Sequence, residues 1–327
     1  MTTTTSNTTT NNASPFRPDC LTGRVALVTG GGSGICYEIT KQLLLHGCDG
    51  AVIVGRRLEF LRRSSKILQN ETSKACKYIA CDVRDPDACQ RAVQYTLREF
   101  GRLDVLVNGA AGNFLAPAAT LKPKGFSTVM SIDTLGTFNM CSAAFKALKI
   151  QGQQQKRKKY QQRGGGGDPI IINISATLQS PATHYQVHAS AAKAAVDSMT
   201  RSLALEWGPY NIRVVGIAPG PIADTPGTTK LAPTLSSAAA SSVTDGIPLG
   251  RMGTTTEIGH AAVFLCTSQY TTGDTLIVDG GEWLSKKPPI ISSPEEVEKL
   301  SRAVERKSRS QAPKQQQQQQ QQQRSRL

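Results

Sequence analysis

Histidine is scarce, with four in 327 residues, and there is no Cys-x-x-Cys pair, so no stretch has the ligand spacing of a structural zinc site. The eight cysteines (20, 36, 48, 76, 81, 89, 141 and 266) are scattered, which predicts a reducing compartment rather than a disulfide framework. No apolar run approaches the roughly 20 residues needed to cross a bilayer. A Thr/Asn tract stands where a secretion signal would carry charge and then an apolar stretch. A soluble, non-secreted protein without metal or membrane span is expected.

Aromatic residues make up only 5% of the chain, and this bears on its net charge of +14. Residues 151–168 carry five basic side chains and one acidic, and residues 285–327 carry ten basic and four acidic. Those two segments supply +10 and leave +4 for the rest. Neither interleaves aromatic stacking platforms with its charges, so they are expected to be solvated low-complexity segments and not readers of nucleic acid.

Residues 1–21 lack periodicity and are expected to form a disordered head. Short apolar runs then recur: Val25–Val28, Ala51–Val54, Tyr78–Ala80, Val105–Val107, Ile170–Ile172, Ile212–Val215 and Leu276–Val278. Each is of strand length without alternation, as in strands covered on both faces. Helical stretches lie between them, including Ile35–His46, Pro86–Phe100 and Ala189–Glu206. The alternation predicts one α/β domain over residues 22–284: a Rossmann-type, doubly wound parallel sheet of about seven strands with helices on both faces. Residues 151–168 read as a basic surface insert between a helix ending near Lys149 and the strand at Ile170. Thr225–Gly253 is too long for an ordinary connection and is expected to be a mobile lid. Residues 285–327 read as a flexible, Gln-rich basic tail.

The first strand runs directly into Thr29-Gly30-Gly31-Gly32-Ser33-Gly34-Ile35 before a helix. Glycines there let backbone approach a pyrophosphate, whose charge is stabilised by free amides at the helix N-terminus. Gly30, Gly32, Ser33, Gly34 and Ile35 are therefore candidate cofactor residues. Cys36 takes the place of a usual third glycine and is expected to widen the helix–strand contact slightly. The second strand ends in Arg56-Arg57 without an acid for a ribose 2′-hydroxyl, so Arg56 favours a 2′-phosphate and hence NADP(H). A solvated arginine pair opening a helix is the alternative. Asp82 after the third strand, as an acceptor for adenine or as a cap, and Asn108 after the fourth add further candidates.

Together with Pro219-Gly220-Pro221-Ile222 and Asp279-Gly280-Gly281, these residues resemble the short-chain dehydrogenase/reductase family over roughly residues 22–284. The family's Tyr-x-x-x-Lys element reads Ala189-x-x-x-Lys193 here, its serine is Ala176, and its helix asparagine is Asp133. Ala110–Leu115, Ile132–Asn139, Gln186–Ala189 and Ala218–Ile222 are similar to the peroxisomal 2,4-dienoyl-CoA reductases, a group that also lacks the tyrosine–serine pair and carries aspartate at the helix position. Ser325-Arg326-Leu327 resembles the Ser-Lys-Leu peroxisomal address read by an import receptor.

The resemblance implies hydride addition from NADPH to Cδ of a 2,4-dienoyl thioester and protonation at Cα, giving a 3-enoyl-CoA. It implies catalytic roles for Asp133, orienting a water, and for Lys193, holding the nicotinamide ribose. It implies cofactor contacts from Pro219, Gly220 and Ile222, and a peroxisomal homo-oligomer. Arg56, Arg84 and Lys230 are candidates for the phosphates of coenzyme A, and Phe114 for the acyl chain. Tyr185 lies eight residues before Lys193, about 12 Å if both are helical, too far to share one ribose site. His184 and His188 read as loop or core residues. A non-catalytic NADP-binding protein and a carbonyl or 2-enoyl-CoA reductase remain alternatives.

Overall fold

In a computed structural model, the structure describes residues 14–160, 167–180, 182–225, 227 and 244–284. Seven parallel strands form one sheet: β1 (Val25–Thr29), β2 (Gly50–Gly55), β3 (Ala75–Ala80), β4 (Val105–Asn108), β5 (Ile170–Ile174), β6 (Arg213–Pro219) and β7 (Thr275–Val278). Their order is β3-β2-β1-β4-β5-β6-β7. The chain reverses direction across the sheet between β1 and β4, so a crevice opens at the carboxyl ends of those strands. The α/β class and the doubly wound parallel sheet are as the alternating runs predict.

The central strands are buried throughout and mostly apolar because helices cover them on both sides. One face packs α1 (Gly34–Leu45), α2 (Leu58–Thr72) and α7 (Thr255–Thr267) around Val28, Ile53, Val107 and Ile172. The other packs α3 (Pro86–Phe100), α5 (Gly136–Tyr160) and α6 (Val187–Trp207) around Leu27, Val52, Leu106 and Ile171. Strand β3 departs from expectation. It is an edge strand, and Ala75, Lys77 and Ala80 are exposed, so it is not covered on both faces.

Two boundaries move. Residues 14–21, expected within a disordered head, belong to the packed fold: Leu21 is fully buried and Phe16 packs against the first core. The helix expected to end near Lys149 continues to Tyr160, and Gln155 within the supposed surface insert is buried. Burial of that polar side chain makes the first part of the insert an extension of α5 and not a loop. Residues 161–166, 285–327 and most of the expected lid lie outside the described residues. Where that long connection leaves and rejoins the sheet, Ile222 and Gly253 form a parallel bridge. Gly253 N–H donates to Pro221 O, and Ala223 N–H to Gly253 O.

Before α5, α4 (Pro123–Val129) passes into a π-helical turn at Met130–Leu135 without leaving the helical backbone region. Such turns are rare and re-aim side chains relative to a regular α-helix. The side chain this one places inward is Asp133, at 1% exposure.

Candidate active site

Asp133, Lys193 and the turn after β4 meet behind the carboxyl end of the sheet. Asp133 Oδ1 accepts a hydrogen bond from Gly112 N–H at 2.7 Å, and Oδ2 lies 3.1 Å from Lys193 Nζ. Lys193 also donates to Ile174 O at 2.9 Å, so two of its three N–H groups are used within the protein. Both ends of the pair are shielded, with side-chain exposures of 10% for Lys193 and 1% for Asp133. One turn before Lys193 on α6, Ala189 is enclosed at 1% exposure, and Ala176 lies just beyond β5. No phenol or hydroxyl therefore stands at either position.

The glycine-rich turn between β1 and α1 is shaped by close contact. Gly30 has a left-handed φ of 68°, and a Cβ there would lie 2.9 Å from Gly109 O. A Cβ on Gly32 would meet the Phe60 ring at 3.0 Å. Ser33 precedes α1 in an extended conformation and makes no side-chain cap, which leaves the first amides of α1 without a capping acceptor. That is the donor set an anionic diphosphate requires. Cys36 is buried, but the helix–strand contact is not loosened by it: a Cβ on Gly109 would fall only 2.0 Å from its sulfur. Gly109 makes the room that a glycine at 36 would otherwise have made. Burial pushes the Cys36 thiol up to about 12.

Arg56 is exposed at the end of β2, one strand away from this turn. Asp82 beyond β3 is held by Arg84, whose backbone N–H (3.1 Å) and Nε (2.9 Å) both donate to Oδ1. That pairing keeps the Asp82 carboxyl below its ordinary range. Neither Asp82 nor Arg84 is thus a free partner. They line an open cleft of about 470 Å³ with Lys124, Ser127 and Thr128, and neither Asp133 nor Lys193 lines it.

Asn108 is drawn inward. Its amide donates to Asn173 Oδ1 (2.9 Å) and Cys141 Sγ (3.2 Å), and Asn173 donates in turn to Thr200. It links β4, β5, α5 and α6 through its amide, while its Oδ1 is buried without a hydrogen-bond partner. Gly220 is needed because a Cβ would lie 2.6 Å from that of Asp279. Pro219 ends β6, and the Ile222 side chain is buried while its carbonyl accepts from Thr225 Oγ1 at 3.3 Å. Phe114 stacks on His188 with centroids 4.2 Å apart. Tyr185 precedes α6 with a φ of 62°, so the helical distance expected between it and Lys193 does not apply. Lys230 and Ser325–Leu327 lie outside the described residues. Sequence reasoning missed Gly112 N–H and Ile174 O, because backbone groups leave no residue-type signal.

Residues 30–282 match the family described as enoyl-(acyl carrier protein) reductase. A curated peroxisomal 2,4-dienoyl-CoA reductase from Arabidopsis thaliana is 50% identical over 300 residues, covering 91% of this chain and 96% of its own. The chain belongs to the short-chain dehydrogenase/reductase family. A relative of the same name from Danio rerio is 45% identical over 273 residues, covering 83% of this chain and 85% of its own. Among solved structures, a 3-ketoacyl-(acyl-carrier-protein) reductase from Brucella melitensis complexed with NADH superposes with a TM-score of 0.70 at 28% identity, covering 80% of this chain and 99% of that one. An oxidoreductase with a nicotinamide cofactor follows from this membership. The uncapped amides of α1 and the close-packed glycines fit such a group. Among the described residues no group of His, Cys, Asp or Glu could hold a metal, and no helix is long and apolar enough to cross a membrane.

Proposed function

We propose that this protein reduces 2,4-dienoyl-CoA to 3-enoyl-CoA, the reaction its relatives' names describe for them, and that NADPH is its reductant. The observation that carries this is the enclosed Ala189 beside an intact Lys193–Asp133 pair. A carbonyl reductase needs a proton donor at the oxygen of the carbon that receives hydride, and alanine supplies none. Reduction of a dienoyl thioester places hydride at Cδ and the proton at Cα, so that donor is dispensable.

The nicotinamide group supplies the hydride when bound. Gly30, Gly32, Ser33, Gly34 and Ile35 hold its diphosphate through backbone groups. The remaining N–H of Lys193 reaches the ribose hydroxyls, and Pro219, Gly220 and Ile222 border the nicotinamide through backbone. Asp133 is held by two donors and accepts only, so it orients a water that gives a proton to Cα as its O–H bond breaks, the hydroxide left behind being reprotonated from solvent. Arg56 takes the 2′-phosphate. Of the candidates for coenzyme A phosphates, Arg56 is exposed while Arg84 is paired with Asp82; Lys230 is the third.

Offered hexadienoyl-CoA, the protein should oxidise NADPH, followed by absorbance, and release a 3-enoyl-CoA. NADPH binding without oxidation would overturn the proposal. Arg56→Ala should raise the dissociation constant for NADPH by about tenfold or more, the loss of one charge-assisted contact of roughly 1.5–3 kcal/mol. Affinity for NADH should stay unchanged. Equal effects on both cofactors would remove Arg56 from the phosphate site.

The proposal places the protein in peroxisomes, delivered by the receptor that reads Ser325-Arg326-Leu327, and in a homo-oligomer. Leu135, Phe138 and Ile150 around α5 and Leu205 on α6 are exposed apolar side chains that such an association would cover.

A further inference from the structure

Helix α5 is longer than the strands it covers. Its 25 residues span roughly 37 Å, whereas β4 and β5 beside it have four and five residues, roughly 13–17 Å. Because β4 and β5 are parallel, α5 must carry the chain from the carboxyl end of the sheet, where Asp133 lies, back to the amino end. Its last turns overshoot the sheet there, on the side away from the crevice.

The overshoot is held in place. A Cβ on Gly152 would lie 2.2 Å from Tyr210 O, so the helix backbone rests on the turn that leads into β6 at the amino edge. Lys149 Nζ lies 4.2 Å from the centroid of the Tyr210 ring, and Gln155 is buried. Gln153, Gln154, Lys156 and Arg157 are exposed on the remaining faces, and Lys158 and Lys159 follow in the same helix. The whole of α5 contains six basic residues and no acidic one. Among the described residues, neither Lys156 nor Arg157 has an ion-pair partner. Cations in a last helical turn are favoured by the helix dipole, but the dipole stabilises one or two charges and gives no reason for four in succession.

We propose that this basic helix end docks the protein on an anionic lipid leaflet, with the cofactor crevice facing away from the lipid. A leaflet spreads its charge over a plane, which a projecting rod end can reach without the groove that a folded partner would need. Three of the four cations are lysines, point charges suited to diffuse charge, where arginine forks would grip individual phosphates. No aromatic residue is interleaved among them as a stacking platform for bases. On this helix, the apolar side chains that self-association would cover end at Ile150, before the basic run begins. Each Lys or Arg near such a surface strengthens binding about fivefold, so the four together give about 10²–10³-fold. Binding of this kind is reversible and screened by salt. It needs neither substrate nor cofactor, so it stands or falls separately from the reductase reading.

Full-length protein should sediment with phosphatidylcholine vesicles containing about one-third phosphatidylserine at about 0.1 M salt, and come free at about 1 M, where the Debye length is about 3 Å. Vesicles of phosphatidylcholine alone should bind it at least about tenfold more weakly. Changing Lys156, Arg157, Lys158 and Lys159 together to glutamine keeps helix propensity nearly constant and should weaken binding to the anionic vesicles by about 10²–10³-fold. Removing the same charge from exposed positions elsewhere, with Arg62, Arg63, Lys66 and Arg98 changed to glutamine, should weaken it by less than about tenfold. Equal losses in the two variants would assign the effect to net charge and overturn the proposal. So would full binding by the first variant, which would point to the basic tail. Wild-type protein that ignores the phosphatidylserine vesicles overturns the proposal whatever the variants do, and binding to polyuridine in its place would give the helix end to RNA.

Discussion

Asp133→Ala is expected to lose at least about a hundredfold in turnover and to unfold at a lower temperature, while Asp133→Asn loses turnover with a smaller thermal effect. Alanine leaves two groups stranded: the Gly112 N–H, which Oδ1 accepts at 2.7 Å, and the Lys193 ammonium, 3.1 Å from Oδ2. Removing one partner of a buried pair costs about 3–5 kcal/mol because the other charge stays buried. For a domain of this size that lowers Tm by roughly 6–20 °C. Asparagine can still accept from Gly112, but it carries no charge opposite Lys193 and orients a water less strongly. The two variants thus divide the residue's part in the fold from its part in proton transfer. Thermal melts and NADPH absorbance read the two quantities, and full turnover by Asp133→Asn would take the carboxylate out of the chemistry.

Gly109→Ala is expected to be among the most destabilising single-methyl changes in the protein, and Cys36→Ala to restore much of the loss. The added Cβ would lie 2.0 Å from Cys36 Sγ, with Thr29 O at 3.3 Å and Ile174 Cγ1 at 3.4 Å behind it. No rotamer change in a residue as buried as Cys36 relieves that contact without moving α1 against β4. Overpacking of this kind costs about 1–3 kcal/mol or more. Removing the sulfur by Cys36→Ala takes away the nearest atom, so the two changes should be strongly non-additive in denaturant unfolding. Additive effects would mean that the contacts with Thr29 and Ile174 decide the cost instead. The glycine-rich turn would shift with α1, so NADPH affinity should fall in Gly109→Ala and recover in the double variant.

Much of the fold is readable from local pattern. Pro86–Phe100 has the expected limits, with Asp85 capping Asp87 N–H and Gly101 closing the helix at a φ of 74°. Those signals act within one turn of chain and need no partner. The exposure of β3 was not readable, since whether a strand lies at the edge depends on the order in which strands assemble. The site shows the same division. The Gly30–Ile35 turn announces itself because its glycines are contiguous. The alliance of Asp133 with Lys193 joins residues sixty positions apart and depends on a π-helical turn that no run of residue types marks.

The bridge between Ile222 and Gly253 has a bearing on how such a protein diversifies. The chain departs and returns at adjacent points joined by two backbone hydrogen bonds, and on the returning arm Leu249 N–H donates to Gly280 O and Ile247 is buried, so that arm is anchored just beyond β7. Closing a loop twice as long costs only about 0.6 kcal/mol more. Chain entropy therefore sets little limit on the length of this connection, and the Ile222–Gly253 bridge fixes where it must begin and end.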